Sequence, residues 1–145
     1  MNHANPSVDK LNEFLRGEMS AVETYRQALE KIESGGTRLQ LEQCRRSHEE
    51  RVALLRRSIT SSGGEPASTS GAWGSFAKLA EGSAKVFGEK AAIAALEEGE
   101  DRGLKLYRND LDKLDASAQE LVRTDLLPAQ ERTHRALSDL KHSLH

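Results

Sequence analysis

Aromatic residues make up only 4% of this 145-residue chain: one tryptophan, two tyrosines and three phenylalanines. Runs of β-branched residues with alternating polarity are missing as well, which argues against a sheet. Cysteine is nearly absent. Cys44 has no second thiol to pair with, so no internal disulfide forms, and this suits a reducing compartment. No apolar run approaches the roughly 20 residues of a membrane span, and the opening Met-Asn-His-Ala-Asn-Pro lacks the charged and apolar order of a signal peptide. A cytoplasmic protein is expected. The net charge is -2 with both signs interspersed, which leaves no electrostatic footprint for nucleic acid or an anionic membrane. The pairs Arg45-Arg46 and Arg56-Arg57 read as solvated helix faces. There is no Gly-rich phosphate loop, and Cys44 has no base beside it in a motif, so nucleophilic catalysis has little support.

What remains is a helix-former's composition of Ala, Leu, Glu, Lys, Arg and Gln, in a chain long enough for one domain with one substantial core. The chain also repeats itself. Gly17, Glu18, Tyr25, Arg26, Leu29 and Lys31 recur as Gly99, Glu100, Tyr107, Arg108, Leu111 and Lys113 at a constant offset of 82 residues. Each copy is followed by a segment with a central histidine, His48 and then His134. A repeated two-helix unit gives an all-α bundle of four helices.

The apolar periodicity places helix 1 over about 6–35 and helix 2 over 37–60. A linker follows at 61–72, then a short amphipathic helical segment at 73–87 carrying Trp73 and Phe76. Helix 3 covers 88–115 and helix 4 covers 117–143. Asn5-Pro6-Ser7 opens the first helix and Gly35-Gly36 closes it. Thr37 with Gln40, and Ser117 with Glu120, are capping boxes for the second and fourth. Pro128 predicts a kink in the fourth. The Gly-, Ser- and Thr-rich linker is long enough, at about 3.3 Å per residue, to run the length of a 25-residue helix. That length allows a crossover which sets the second and third helices parallel.

Glu18 and Glu100 fall inside the apolar stripes of helices 1 and 3, where a charge is costly unless it is paired or bound to a metal. His48 and His134 can supply that partner. In helix 4, Glu131 precedes His134 by three residues on one face. One Glu from each of two helices plus Glu-x-x-His from each of the others is the constellation that holds two iron or manganese ions in a bundle.

On these residues, from about Leu11 to His142, the sequence resembles the ferritin-like superfamily. It is similar to bacterioferritin-type and rubrerythrin-type bundles and to a small bacterial branch classed as a domain of unknown function. The resemblance implies that Glu18, His48, Glu100, Glu131 and His134 are metal ligands, with Tyr25 and Tyr107 hydrogen-bonded behind them. It also implies iron, or manganese, as one or two ions reacting with dioxygen or peroxide. Arg45 departs from the pattern by standing where a bridging glutamate belongs three residues before His48, and a guanidinium cannot ligate. Two readings therefore stay open. One is an incomplete metal site; the other is a metal-free structural or interaction bundle in which Arg45 pairs with the inward glutamates. Trp73 and Phe76 read as packing, and His3, His142 and His145 carry no assigned role. A homo-oligomer, in the form of a dimer, is the expected assembly.

Overall fold

The computed structural model describes residues 6–33, 35–70 and 83–143. Those residues form helices and connecting turns, and no strand occurs among them. Helix α1 is Pro6–Leu29, α2 is Gly35–Ser61 and α3 is Ser83–Asp110, the last closed by a 3-10 turn at Leu111–Lys113. The fourth rod begins as α4, Ala116–Leu121, widens into a π-helical turn over Val122–Leu126, and continues as α5, Leu127–Ser143. None of the helices among the described residues is long and apolar enough to cross a membrane.

Each rod forms because its apolar side chains recur every three or four residues and lie on one face. In α1 the buried stripe contains Leu11, Phe14, Leu15, Val22, Tyr25 and Leu29; in α2 it contains Leu41, Cys44, Leu55 and Ile59. The ends depart from expectation. α1 stops at Leu29, and Gly35 and Gly36 open α2 instead of closing α1. Arg38, in the first turn of α2, explains the early stop: its Nη1 donates to the carbonyls of Leu29 at 2.5 Å and Ile32 at 3.2 Å, satisfying acceptors that the helix end leaves free. Asp115, not Ser117, caps α4, its carboxylate accepting from the Ala118 amide at 2.9 Å.

Pro128, where a kink is expected, directly follows a widened turn of the rod. Leu127 N–H reaches back five residues to the Val122 carbonyl, and this wide turn relieves the crowding of the proline ring against the carbonyl four residues earlier. The connection from α2 folds back on α1, where Asn12 clamps it by donating to the Glu65 carbonyl at 2.9 Å and accepting from the Ala67 amide at 2.7 Å. Trp73 and Phe76, expected on a short amphipathic helix, lie outside the described residues. The helical stretch from Ser83 is offset from the remainder of α3 at Gly88, whose φ of 76° and ψ of -152° only glycine adopts freely.

The apolar core comes in two parts. Tyr25, Ile32, Leu41, Ile93, Leu96 and Leu137 belong to one; Leu11, Phe14, Leu55, Tyr107, Val122 and Leu126 belong to the other. Charged and polar side chains occupy the level between them.

Candidate functional site: a buried ion cluster

The cluster is built from one residue pair on each rod. α1 contributes Glu18 and Tyr25, and α3 contributes Glu100 and Tyr107. α2 contributes His48 and Arg51, and α5 contributes Gln130 and Thr133. Arg51 is 1% exposed, His48 and Glu100 are 2% and Glu18 is 4%, so four ionisable groups are withdrawn from water at once. That costs several kcal/mol per ion unless every charge finds a counter-charge and every lone pair a donor.

Here they do. Glu18 Oε1 meets His48 Nδ1 at 2.5 Å, while Glu18 Oε2 accepts from the Tyr107 hydroxyl at 2.5 Å and from Arg51 Nη1 at 3.4 Å. Glu100 Oε2 accepts from the Tyr25 hydroxyl at 2.5 Å and meets His48 Nε2 at 2.6 Å. Its Oε1 accepts from Gln130 Nε2 at 2.9 Å and from Thr133 Oγ1 at 2.7 Å. The tyrosines thus act reciprocally, each serving the glutamate of the other helix. Arg51 Nη1 also donates to Gln130 Oε1, and its Nη2 donates to Ser47 Oγ and Thr133 Oγ1, both at 2.9 Å. Gln130 comes this close to α3 because residue 103 is glycine: a Cβ there would stand 2.8 Å from Gln130 Nε2.

Both ring nitrogens of His48 face carboxylates, so the ring is held as an imidazolium that donates twice. Burial and the nearby Arg51 push its pKa down, but Glu100 and Glu18 outweigh them and the net shift is upward. Burial pushes Glu18 up, yet Arg51 and His48 hold it down at about 2. Glu100 is likewise lowered, against the effect of burial, chiefly by His48. Two anions and two cations then make the cluster electrically neutral. Burial raises Tyr25 and Tyr107 well above the usual phenol range, so both stay protonated donors. Beside the cluster, between α1 and α3, lies a cavity of about 20 Å³ lined by Gly17, Gly99, Gly103 and the acidic side chains, room for about one water.

Three of the five side chains expected as ligands converge here: Glu18, His48 and Glu100. The other two do not. Glu131 lies on the outer side of α5 and pairs with Arg108 at 3.2 Å. His134 is also peripheral, 3.7 Å from Glu97 and 3.6 Å from Asp101. Tyr25 and Tyr107, expected behind the ligands, are in place, whereas Arg45, expected to pair with the inward glutamates, is not. Arg45 is half-buried on the flank of α2, 3.9 Å from Glu49, and the central cation is Arg51. Among the described residues no group of three or more His, Cys, Asp or Glu side chains has the arrangement of a metal site.

Arg51, Gln130 and Thr133 are the members that periodicity alone did not single out. One signal points to all three: the offset of 82 that relates Glu18 to Glu100 and Tyr25 to Tyr107 also carries His48 onto Gln130, Arg51 onto Thr133 and Leu55 onto Leu137. Matching histidine to histidine breaks that offset by four residues, one helical turn, and brings the neighbouring Glu131 with it.

A four-helix, all-α protein with a neutral ion cluster at mid-height is the class that fold and site define. The chain belongs to the family described as a domain of unknown function, DUF2383, whose model matches residues 7–113. No curated protein and no solved structure matches it. The matched span includes Glu18, Tyr25, His48, Arg51, Glu100 and Tyr107 and ends before Gln130 and Thr133.

Proposed function

We propose that this chain is a ferritin-like bundle, descended from a duplicated helix pair joined by a crossover, whose metal position has been taken over by a structural ion network. The protein then acts by binding through its surface and not by redox catalysis. One observation carries the reading. In the dinuclear constellation, each of two helices presents an inward Glu-x-x-His pair. The inward pairs with that spacing are here His48-x-x-Arg51 and Gln130-x-x-Thr133. The set fits a metal centre poorly: the two carboxylates face a guanidinium and an imidazolium, and all four carboxylate oxygens and both imidazole nitrogens have partners within the cluster. Arg51 and His48 together supply the positive charge that bound metal would supply elsewhere.

Anaerobic loading with Fe(II) and with Mn(II), followed by desalting and elemental analysis, tests this. The native chain should retain no more metal than a Glu100→Ala variant. Stoichiometric iron that disappears with Glu100→Ala would overturn the reading and restore the iron-oxidising one. A quadruple variant, His48→Glu, Arg51→His, Gln130→Glu and Thr133→His, writes the constellation at these positions. If its circular dichroism is native-like, it should take up close to two ions per chain. Arg45→Glu should gain none, because that side chain points along the flank. The expected dimer is tested separately by light scattering.

A further inference from the structure

Outside the cluster, a polar groove of about 500 Å³ lies between α2 and α5. That volume suits a small molecule. Gln40 and Gln43 line it from α2, Arg132 and Arg135 line it from α5, and Ser47 and Thr133 lie at the level of the ion cluster. Both rim pairs are spaced i, i+3 and so project from one face of their helix.

Its chemistry is one-sided. Among the described residues neither Arg132 nor Arg135 has an ion-pair partner, and neither glutamine amide has a hydrogen bond. Ser47 Oγ already accepts from the buried Arg51 Nη2 at 2.9 Å, so its own hydrogen is polarised and left to donate. Two guanidinium forks, two amides and a hydroxyl form a donor array that matches the several acceptor oxygens of a phosphate group. One carboxylate, Asp139, also lines the groove, four residues beyond Arg135 and without a salt bridge to it. Asp139 disfavours a second anionic group at its end and accepts from an ammonium or hydroxyl there. Cys44 adds no competing charge, since burial pushes its thiol up to about 12.

We infer that the α2–α5 groove binds a phosphate monoester whose other end carries an amine or a hydroxyl. The inference rests on the proposed function insofar as Arg51 is the fixed cation that orients Ser47. Its test leaves the ion cluster untouched. Calorimetric titration of the full chain at constant ionic strength would use inorganic phosphate, methyl phosphate and phosphoethanolamine as probes. Phosphoethanolamine should bind at least about tenfold more tightly than methyl phosphate. Arg132→Gln with Arg135→Gln should weaken all three probes by about tenfold or more, while Asp139→Asn should abolish the preference for the amine. Equal affinity for the native chain and the double arginine variant, or no heat with any probe, would overturn the inference. Iron uptake by the native chain in the separate loading experiment would defeat the proposed function without altering these titrations, so the two failures are distinguishable.

Discussion

Arg51 holds one anion, Glu18, and four neutral acceptors with one planar group, and no other residue type presents five donors in that shape. Arg51→Met keeps the length of the side chain but leaves Glu18 and Glu100 with only His48 as counter-charge. Its removal should cost about 3–5 kcal/mol, read from urea unfolding monitored by circular dichroism. Adding Glu18→Gln to Arg51→Met should return part of the loss, because the surplus buried charge is then gone. A double variant that is less stable than the simple sum of the single effects would show that the two groups do not act as a pair. At this scale the sequence told part of the story. A glutamate within an apolar stripe is conspicuous, and Glu18, Glu100 and their tyrosines could be picked out on that basis. Arginine on a helix is usually solvated, so Arg51, three residues after His48 and on the same face, gave no such contrast.

The elements meet at fixed heights, and the contact between Gly103 of α3 and Gln130 of α5 is the site of a sign change. In the native chain, Gly103→Ala gains helix propensity of about 1 kcal/mol. Its methyl, however, would press on Gln130 Nε2, which holds both the backbone and side-chain oxygens of Glu100. Losing those bonds in a buried site costs about 1–3 kcal/mol, so the single variant should be less stable than the native chain. With Gln130→Ala already present, Gly103→Ala should instead stabilise by about 1 kcal/mol; thermal melts of the four chains decide it. The four rods and their order were readable from spacing. The face of the last one was not, because Leu137 lies three residues from His134 and four from Thr133, and both separations are helical neighbours. The wide turn at Val122–Leu126 compounds this: the buried positions Ala118, Val122, Leu126 and Gln130 are spaced by four throughout, a drift that an ordinary helix would carry off the core.

For the whole molecule, the cluster sets the pH range in which the fold is firm. Glu18 is lowered from 4.5 to about 2, so its contribution is complete above 4.5 and fades as pH falls from there towards about 2. His48 is raised above its ordinary 6.5, so its contribution is complete below 6.5 and is lost as pH climbs through the elevated value. Stability should therefore be greatest in mildly acidic solution, near pH 5–6, and decline on both sides. The urea midpoint measured across pH should show the acid limb shrinking in Glu18→Gln and the neutral-to-alkaline limb flattening in His48→Gln. A native profile that rises steadily from pH 6 to 9 would contradict the imidazolium assignment.

The separation of the oily interior into two compartments has one more effect. If any of the first three rods slid along its neighbours by a single turn, about 5.4 Å, it would drive a carboxylate, a guanidinium or an imidazolium into hydrocarbon. A slip of the fourth would withdraw Gln130 and Thr133 from Glu100. Leucines at that level would tolerate many alignments almost equally; these side chains admit one. The charges thus work as a longitudinal key, fixing the stagger of the rods while leaving the outward residues free to change.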